Sequence, residues 1–378
     1  MTFHVNTKMA EVTRLTRAGR LAEAMALLRG RPLVPNSPRA ADGMDPRPQP
    51  LARSSGGAAP THIPDKLRHF LDRLGKLGPS LDPHGLARPR APIVLPGGAR
   101  FEQHAFANHA GSRTYKLYIP SHTSGEPVPL IVMLHGCNQS PDDFAAGTQM
   151  NVLAEENGFL VAYPAQSTAA NPAQCWNWFN ASDQQRDGGE PSLIAGITRQ
   201  IMADFAVDPA RVYVAGLSAG GATAAIMGAT YPDLYAAIGV HSGLACGAAR
   251  DVQSAFVAMR QGGPVVVAGA TRPLPTIVFH GDRDQTVSPV NSDQVIAQSK
   301  AAANLEHNVE RGRSAGGIDY TRTVQSDARG RPVLEQWVLH GAGHAWSGGS
   351  AAGSFTDPRG PDASREMLRF FLQYPGAA

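Results

Sequence analysis

Hydrophobic and polar residues follow two distinct patterns along residues 100–375. Short apolar runs have the length and composition of buried strands, and longer stretches repeat apolar residues at helical spacing. Strands that alternate with helices favour an α/β fold, in which a mostly parallel central sheet is covered by helices on both faces. Reactive loops then lie at the carboxyl ends of the strands. The predicted strands span residues 114–119, 130–134, 159–163, 212–215, 236–240, 276–279 and 333–339, and the predicted helices span 143–157, 191–205, 219–231, 290–303 and 361–371.

The first hundred residues follow a different pattern. Residues 1–30 form a separate segment, because apolar residues at helical spacing predict an amphipathic helix that ends at Gly30. Residues 31–98 are predicted to be a proline-rich basic linker with a short helix near residues 64–77. The large α/β domain then occupies residues 99–378.

Charge is distributed unevenly between these two parts of the chain. Residues 1–100 hold 16 Lys and Arg against 7 Asp and Glu, whereas the rest holds 18 against 24, which together give the net charge of +3. A solvated leader that simply tolerates arginines is the interpretation we favour, and contact with an anionic surface is the alternative. No feature predicts nucleic-acid binding.

The apolar segments and the cysteines narrow the class of protein further. No run approaches eighteen consecutive apolar residues, so the sequence predicts no transmembrane helix. Residues 21–28 are apolar but carry Glu23 and are followed by arginines instead of a signal-peptide cleavage site, so we expect a cytoplasmic protein. The three cysteines, Cys137, Cys175 and Cys246, lack metal-ligand spacing, and we expect neither a metal nor a cofactor.

A G-x-S-x-G motif follows the predicted strand at residues 212–215 and opens the next helix. Its glycines, Gly216 and Gly220, suit a sharp turn in which larger side chains would collide with neighbouring elements. Such a turn exposes Ser218 above the sheet, at the positive end of the helix. This context makes Ser218 the predicted nucleophile of an acyl-transfer reaction.

A second motif supplies candidate donors for the oxyanion of that reaction. The predicted strand at residues 130–134 ends in His135, Gly136 and Cys137. Acyl transfer requires backbone N–H groups that point at the developing oxyanion, and we expect them from Cys137 and Ala219. An ordinary strand exit with a buried structural His135 is the alternative, which the adjacent G-x-S-x-G motif disfavours.

The acid and the base of the site are expected after the nucleophile, in that order. Asp282 and Asp284 both follow the predicted strand at residues 276–279, and either could orient a histidine. The base is His340 or His344, and His344 is preferred because it lies beyond glycines in a loop that can reach Ser218.

Several residues next to these loops are candidates for substrate binding. Trp176, Trp178, Phe179 and Trp346 are predicted to form a wall of the binding pocket, although packing over the core is the alternative for Trp178 and Phe179. Trp346 is preferred because it follows the predicted base closely. His241 is expected to border the pocket or to be a buried structural residue.

Five segments together carry a resemblance to a known family. They are LHGCNQSPDDFAAGTQMNVLAEENGFLVAYPAQ, CWNWF, RVYVAGLSAGG, HGDRDQTVSP and GAGHAWSGG, and they span about residues 100–375. The set resembles the polyhydroxybutyrate depolymerase family of esterases, in the α/β-hydrolase superfamily, which includes feruloyl and acetylxylan esterases. The resemblance implies the α/β-hydrolase fold for residues 99–378, with Ser218, Asp284 and His344 as the catalytic triad. It also implies a disulfide between Cys137 and Cys175, with Cys246 left as a free thiol.

The resemblance implies a serine esterase that acts through an acyl-enzyme on 3-hydroxybutyrate or other polyhydroxyalkanoate-type esters, as oligomers or polymer. A feruloyl or acetylxylan esterase, or another serine hydrolase on the same scaffold, is the alternative. A different class of function is a protein that binds storage granules or surfaces through the basic residues 1–98. Because secreted relatives exist in this family, the resemblance also allows an extracellular location.

Overall fold

The computed structural model describes residues 95–123, 125–264, 274–300 and 304–375. The helix predicted within residues 1–30, the short helix predicted near residues 64–77, and the linker up to residue 94 lie outside these ranges. Within the described residues, no helix is both long enough and apolar enough to cross a membrane.

A ten-stranded sheet forms the centre of the fold, with the strand order β1-β2-β4-β3-β5-β6-β7-β10-β9-β8. The six strands from β4 to β10 in this order pair in parallel, and the strands at both edges pair antiparallel. A separate parallel pair, β11 and β12, lies in the carboxyl-terminal loops. The strands are β1 (Arg100–Asn108), β2 (Gly111–Ile119), β3 (Val128–Leu134), β4 (Leu160–Pro164), β5 (Val207–Leu217), β6 (Ala237–His241), β7 (Thr276–Gly281), β8 (Glu306–Arg313), β9 (Asp319–Ser326), β10 (Pro332–Leu339), β11 (Trp346–Ser347) and β12 (Thr356–Asp357).

Helices cover both faces of this sheet, as the alternating pattern predicted. The central strand β3 illustrates this arrangement. All of its residues are buried, and successive side chains point to opposite faces of the sheet, into two separate cores. Leu130 and Val132 join the core under α3, α4, α5 and α6, whereas Ile131 and Met133 join the core under α1, α2 and α7. The helices are α1 (Pro141–Thr148), α2 (Met150–Asn157), α3 (Gly189–Asp204), α4 (Ala219–Thr230), α5 (Val252–Gln261), α6 (Val290–Lys300) and α7 (Ala363–Phe371), with a short 3₁₀ helix at Ala181–Gln184.

The structure differs from the predicted elements in two ways. The single helix predicted over residues 143–157 is two helices, because Gln149 has a left-handed backbone (φ 57°) that ends α1 and begins α2. The strands β1, β8, β9, β11 and β12 and the helix α5 were not predicted. β8 is almost entirely exposed, so its sequence shows neither an apolar run nor an alternation.

Candidate active site

Ser218 lies at the turn between β5 and α4, with a backbone conformation (φ 57°, ψ −117°) that non-glycine residues rarely adopt. The two motif glycines make this turn possible. A Cβ atom on Gly220 would overlap the carbonyl group of Leu134 in β3, and one on Gly216 would overlap the backbone of Gly220. A hydrogen bond of 2.9 Å from the amide of Ser218 to the carbonyl of His241 fixes the turn to β6. Ser218 is therefore held at the carboxyl end of the sheet.

The loop after β3 approaches the same serine. A Cβ atom on Gly136 would lie 3.6 Å from Cβ of Ser218, which places the H-G-C segment beside the nucleophile turn. The amide of Ala219 opens α4 and has no intrahelical acceptor. Within the described residues, no backbone carbonyl accepts a hydrogen bond from the amide of Cys137. Both predicted donors thus have amides available to a substrate oxygen, and both residues line the pocket that contains Ser218.

Buried polar residues brace this loop, and sequence reasoning missed the most important of them. Gln139 accepts from the amide of Gly136 at 2.9 Å, and its amide nitrogen donates to the carbonyl of Ser354 at 3.0 Å and to Asp143 at 3.2 Å. A glutamine two residues beyond the H-G-C segment carries no distinctive sequence signal, so only the structure reveals this role.

Asp284 and His344, the predicted acid and base, are joined by a hydrogen bond. Nδ1 of His344 donates to Oδ2 of Asp284 at 2.6 Å, and the amides of Thr286 and Val287 donate to Oδ1 at 2.8 and 2.9 Å. Burial by itself raises the pKa of Asp284, but the electrostatic interaction with His344 and the hydrogen bonds from His280 and His344 outweigh it and hold that pKa well below its ordinary value. Asp284 therefore remains a carboxylate that can orient His344, which lines the pocket together with Ser218.

His280 is a further histidine that touches the acid. Its Nε2 donates to the carbonyl of Val287 at 2.9 Å and lies 3.4 Å from Oδ2 of Asp284. Because a carbonyl oxygen can only accept, the hydrogen bond to Val287 requires that Nε2 of His280 carry a proton. The residue belongs to the H-G-D-R-D segment, but its position in the sequence did not indicate a contact with the acid.

Asp282 and His340, the two candidates set aside, form a separate pair. Nδ1 of His340 lies 2.9 Å from Oδ2 of Asp282, whose other oxygen accepts from the amide of Gly341 at 2.7 Å. Nε2 of His340 contacts the hydroxyl of Thr321 at 2.9 Å, on the surface of the sheet. Neither Asp282 nor His340 lines the pocket. Through its bonds to His340 and to the amide of Gly341, Asp282 instead braces the loop after β7.

The structure places only part of the predicted aromatic wall on the pocket. Trp178 and Phe179 line it, with their rings in edge-to-face contact. Trp176 instead is fully buried and donates from its indole nitrogen to the carbonyl of His135 at 3.1 Å. Its prediction as a substrate-binding residue is corrected, because it supports the loop after β3 from beneath.

Trp346 and His241 require the same correction. Trp346 is fully buried, donates to the hydroxyl of Ser364 at 3.1 Å and packs against Phe144. His241 is stacked between Trp346 and Phe279, and its Nε2 accepts from the amide of Ser347 at 3.0 Å. Neither side chain reaches the pocket, and burial, followed by the charges of nearby histidines, lowers the pKa of His241 well below its ordinary value.

A disulfide joins Cys137 to Cys175, with their Cα atoms 4.2 Å apart. Both cysteines line the pocket, so the bond ties the loop that carries one candidate oxyanion donor to the loop before Trp176. Cys246 is a free thiol, and burial raises its pKa to about 11. It is therefore a thiol at neutral pH and a poor nucleophile.

A buried carboxylate, Glu190 in α3, anchors the second of these loops. It accepts from the amide of Asn177 at 2.7 Å and from the side chain of that residue at 2.8 Å, and it also binds Gln166. Arg113 lies 3.2 Å away and forms a buried ion pair with it. Burial raises the pKa of Glu190, and these donors partly offset the shift. Sequence reasoning missed this cluster because its members come from four separate segments.

No group of three or more His, Cys, Asp or Glu residues is arranged to hold a metal ion in the part of the chain that the structure describes. The residues described above bring a hydroxyl, an imidazole, a carboxylate and two amides together at one pocket.

The sheet order, the strained serine turn and the Asp284–His344 pair define an α/β hydrolase. A family model described as Esterase PHB depolymerase matches residues 113–318, and the chain belongs to that family. The predicted fold and family are both confirmed.

Two curated relatives and one solved structure show the range of similar proteins. Poly(3-hydroxyalkanoate) depolymerase C of Paucimonas lemoignei is 32% identical over 253 residues, which cover 63% of this chain and 60% of that protein. Feruloyl esterase B of Thermothelomyces thermophilus is 30% identical over 208 residues, or 50% of this chain and 70% of that protein. The acetyl xylan esterase from Aspergillus awamori shares the fold with a TM-score of 0.57 at 19% identity, covering 72% of this chain and 99% of that one. This chain thus spans about three fifths of the length of the depolymerase that it matches.

Proposed function

We propose that this protein is a serine carboxylic ester hydrolase in which Ser218 is the nucleophile, His344 the base and Asp284 the residue that orients it. The observation that carries the proposal is the 2.6 Å hydrogen bond between Asp284 and a histidine that lines the same pocket as Ser218. The strained backbone of Ser218 supports it, because strain of this kind is concentrated at functional sites.

The first half of the reaction forms an acyl-enzyme. Nε2 of His344 takes the proton from the hydroxyl of Ser218 while Oγ attacks the ester carbonyl carbon. The amides of Cys137 and Ala219 stabilise the negative oxygen of the tetrahedral intermediate. The carbon–oxygen bond to the alcohol then breaks, and His344 returns its proton to the departing oxygen.

The second half releases the acid. Water gives a proton to His344 and attacks the acyl carbon, and the collapse of the second tetrahedral intermediate returns the proton to Oγ of Ser218. Asp284 stays ionised throughout and stabilises the imidazolium form of His344. The low pKa of Asp284 fits this role.

The proposed substrates are polyhydroxyalkanoate-type esters, such as 3-hydroxybutyrate oligomers. The family assignment and the depolymerase relative support this class. Feruloyl and acetylated xylan esters are the competing class, because relatives bear those names. Parallel rates on 3-hydroxybutyrate oligomers, methyl ferulate and acetylated xylan separate the two classes.

Labelling with a fluorophosphonate tests the mechanism directly. We expect one equivalent of label on the peptide that contains Ser218, together with loss of p-nitrophenyl ester hydrolysis. The Ser218→Ala protein is the matched control and should take up no label. Full labelling of another serine, or full hydrolysis after labelling of Ser218, would overturn the proposal.

A separate proposal concerns the basic leader, residues 1–98, as a contact with granules or anionic surfaces. Its support is the excess of Lys and Arg over Asp and Glu in this part of the chain. Salt-sensitive co-sedimentation of the full chain with polyhydroxybutyrate granules tests it, and binding that is equal at low and high salt argues against it.

A further inference from the structure

We propose that the pocket beside Ser218 takes an apolar group considerably larger than the methyl group of 3-hydroxybutyrate, and that Ala255 sets the size of this group. The inference rests on the proposed ester hydrolase activity and names the substrate side chain that the same site accepts.

The helix α5 supplies the main wall of this pocket. Val252, Ala255, Phe256 and Met259 all line it, and their spacing places them on one face of the helix. Val257, on another face, is 53% exposed. The apolar face of α5 therefore points into the substrate pocket, where an apolar ligand would cover it.

Apolar side chains from other elements complete the enclosure. Leu244 follows β6, Val287 follows the acid, and Trp178 and Phe179 come from the loop after the disulfide. An apolar substrate group would thus meet aliphatic and aromatic side chains from several elements. Such a site suits an alkyl chain because burying apolar surface is favourable and needs no directional partner.

Two polar side chains of the pocket, those of Gln139 and Asn171, are engaged with other parts of the protein, which argues against a sugar as the preferred ligand. Gln139 binds Gly136 and Ser354, as described above. Asn171 donates to Oδ1 of Asn177 at 2.9 Å and accepts from the amide of Ala173 at 3.0 Å. A carbohydrate group would need donors and acceptors directed at it, and these two residues already direct theirs at the protein.

The wall is fixed in place before any substrate binds. A capping box formed by Asp251 and Ser254 begins α5. At its other end, the amide of Ser288 donates to the carbonyl of Met259 at 2.7 Å, and the side chain of Asn291 donates to the carbonyl of Ala258 at 3.0 Å. The pocket is therefore preformed, and its size depends on the side chains that line it.

Ala255 is the smallest side chain on this face and is almost completely buried, with Val252, Phe256 and Met259 around it. A larger side chain at this position would occupy the space available to the substrate. Burying one methylene of the substrate in the pocket stabilises the bound state by about 0.8 kcal/mol, which corresponds to at most about a fourfold gain in kcat/KM. We expect about a threefold gain in kcat/KM for each methylene until the pocket is full.

The test measures kcat/KM of the full chain on two ester series. One is p-nitrophenyl acetate, butyrate, hexanoate and octanoate, and the other is acetate esters of ethanol, butanol, hexanol and octanol. A rise of thirtyfold or more from the two-carbon to the six-carbon member in either series supports the proposal, and the series that shows it identifies the acyl or the alcohol side. Flat or falling values in both series overturn it.

Two variants assign the effect to this wall. In the series that shows the rise, Ala255→Leu should lower the ratio of kcat/KM for the six-carbon ester to that for the two-carbon ester at least tenfold, and Met259→Ala should move the best substrate towards longer chains. Val257→Ala, on the exposed face of the same helix, is the matched control and should leave both ratio and rates unchanged. If Ala255→Leu fails to fold, Met259→Ala alone tests the wall. A Met259→Ala protein with the same chain-length preference as the unmodified protein would then overturn the role of α5.

Failure of this inference is distinguishable from failure of the proposed function. An enzyme that is labelled at Ser218 and hydrolyses acetate without any chain-length preference refutes only the apolar pocket. A protein that hydrolyses no ester and takes up no label refutes the hydrolase itself.

Discussion

Asp284 and His344 lie 60 residues apart in the chain, yet Oδ2 of the first and Nδ1 of the second are 2.6 Å apart and buried. The side chain of Asp284 is fully buried and that of His344 is 9% exposed, whereas the analogous pair of Asp282 and His340 is 37% and 41% exposed. The two pairs follow the same two strands, β7 and β10. Only the buried pair, through His344, reaches the pocket that contains Ser218.

Replacing each aspartate by asparagine distinguishes these pairs. Asp284→Asn should lower kcat about ten-thousandfold, because the amide would hold His344 in the wrong tautomer. Asp282→Asn is the matched control and should cost less than tenfold, since its partner His340 lies outside the pocket. Steady-state rates on p-nitrophenyl butyrate measure both, and the reverse ranking would show that the assigned acid is wrong.

Replacing Ser218, the proposed nucleophile, should have the strongest effect on turnover. Ser218→Ala should keep the fold, because the alanine occupies the same turn and only the hydroxyl is lost, and it should reduce ester hydrolysis by several orders of magnitude. Circular dichroism checks the fold and p-nitrophenyl ester hydrolysis checks the rate. Turnover within tenfold of the unmodified protein would exclude Ser218 as the nucleophile.

The residues of this site were predictable from the sequence where backbone geometry constrains residue type. Gly216 and Gly220 mark the turn because the structure has no space for a Cβ atom at either position. His344 was separable from His340 because it lies in a glycine-containing loop beyond the strand. The choice between Asp282 and Asp284 came from family resemblance, since both aspartates follow β7 closely.

The pocket wall was far less predictable. A tryptophan beside a motif loop has the same sequence context whether its ring faces the substrate or the core, and Trp346 packs on Phe144, which lies in a distant part of the chain. The wall formed by α5 was missed entirely. Polar residues such as Gln253 and Arg260 interrupt its short apolar pattern.

Buried histidines should make the stability of this protein depend on pH. Burial lowers the pKa of His135 from 6.5 to about 4, partly offset by its contact with Gly136 and by the charge of Asp143. Between these values the unfolded chain binds a proton that the folded chain does not, so stability falls as the pH falls from 6.5 towards 4. We expect His135 alone to contribute a loss of about 2 kcal/mol between pH 7.5 and pH 5.

Urea unfolding at the two pH values measures this loss, with His135→Asn as the comparison. The variant is expected to be less stable at both pH values because Gln166 loses its acceptor. Its free energy of unfolding should nevertheless depend less on pH by about 2 kcal/mol. An unchanged pH dependence would mean that His135 titrates in the folded protein as it does in the unfolded chain.

The proposed boundary of the catalytic domain is testable by shortening the chain. A chain that begins at residue 95 keeps β1, the hydrogen bond from the amide of Ala99 to the carbonyl of Pro96, and the packing of Leu95 on the core. We therefore expect it to fold cooperatively and to hydrolyse soluble esters at a rate within threefold of the full chain. An insoluble or inactive product would show that residues 1–94 belong to the folded core.

The disulfide between Cys137 and Cys175 has consequences for stability and for compartment. It closes a loop with a sequence separation of 38 residues, and chain-entropy arguments assign such a bond about 4 kcal/mol. Disulfides persist in oxidising compartments, so its presence in the purified protein would favour export over the cytoplasmic location expected from the sequence. Thiol titration after denaturation without reductant should find one thiol, Cys246, and titration after reduction should find three.

Reduction should weaken the fold more than it weakens catalysis. The amide of Asn138 still donates to the carbonyl of Ala173 at 2.7 Å, and Gln139 still holds Gly136, so the loop that presents the Cys137 amide keeps two supports without the bond. We expect the double variant Cys137→Ser with Cys175→Ser to lose about 4 kcal/mol of unfolding free energy and less than tenfold in kcat. Cys246→Ser, which leaves the bond intact, is the control for loss of a thiol. A hundredfold fall in kcat at an unchanged KM would instead show that the bond itself holds the oxyanion donor in place. Three free thiols in protein taken from its native compartment would show that the bond does not form there.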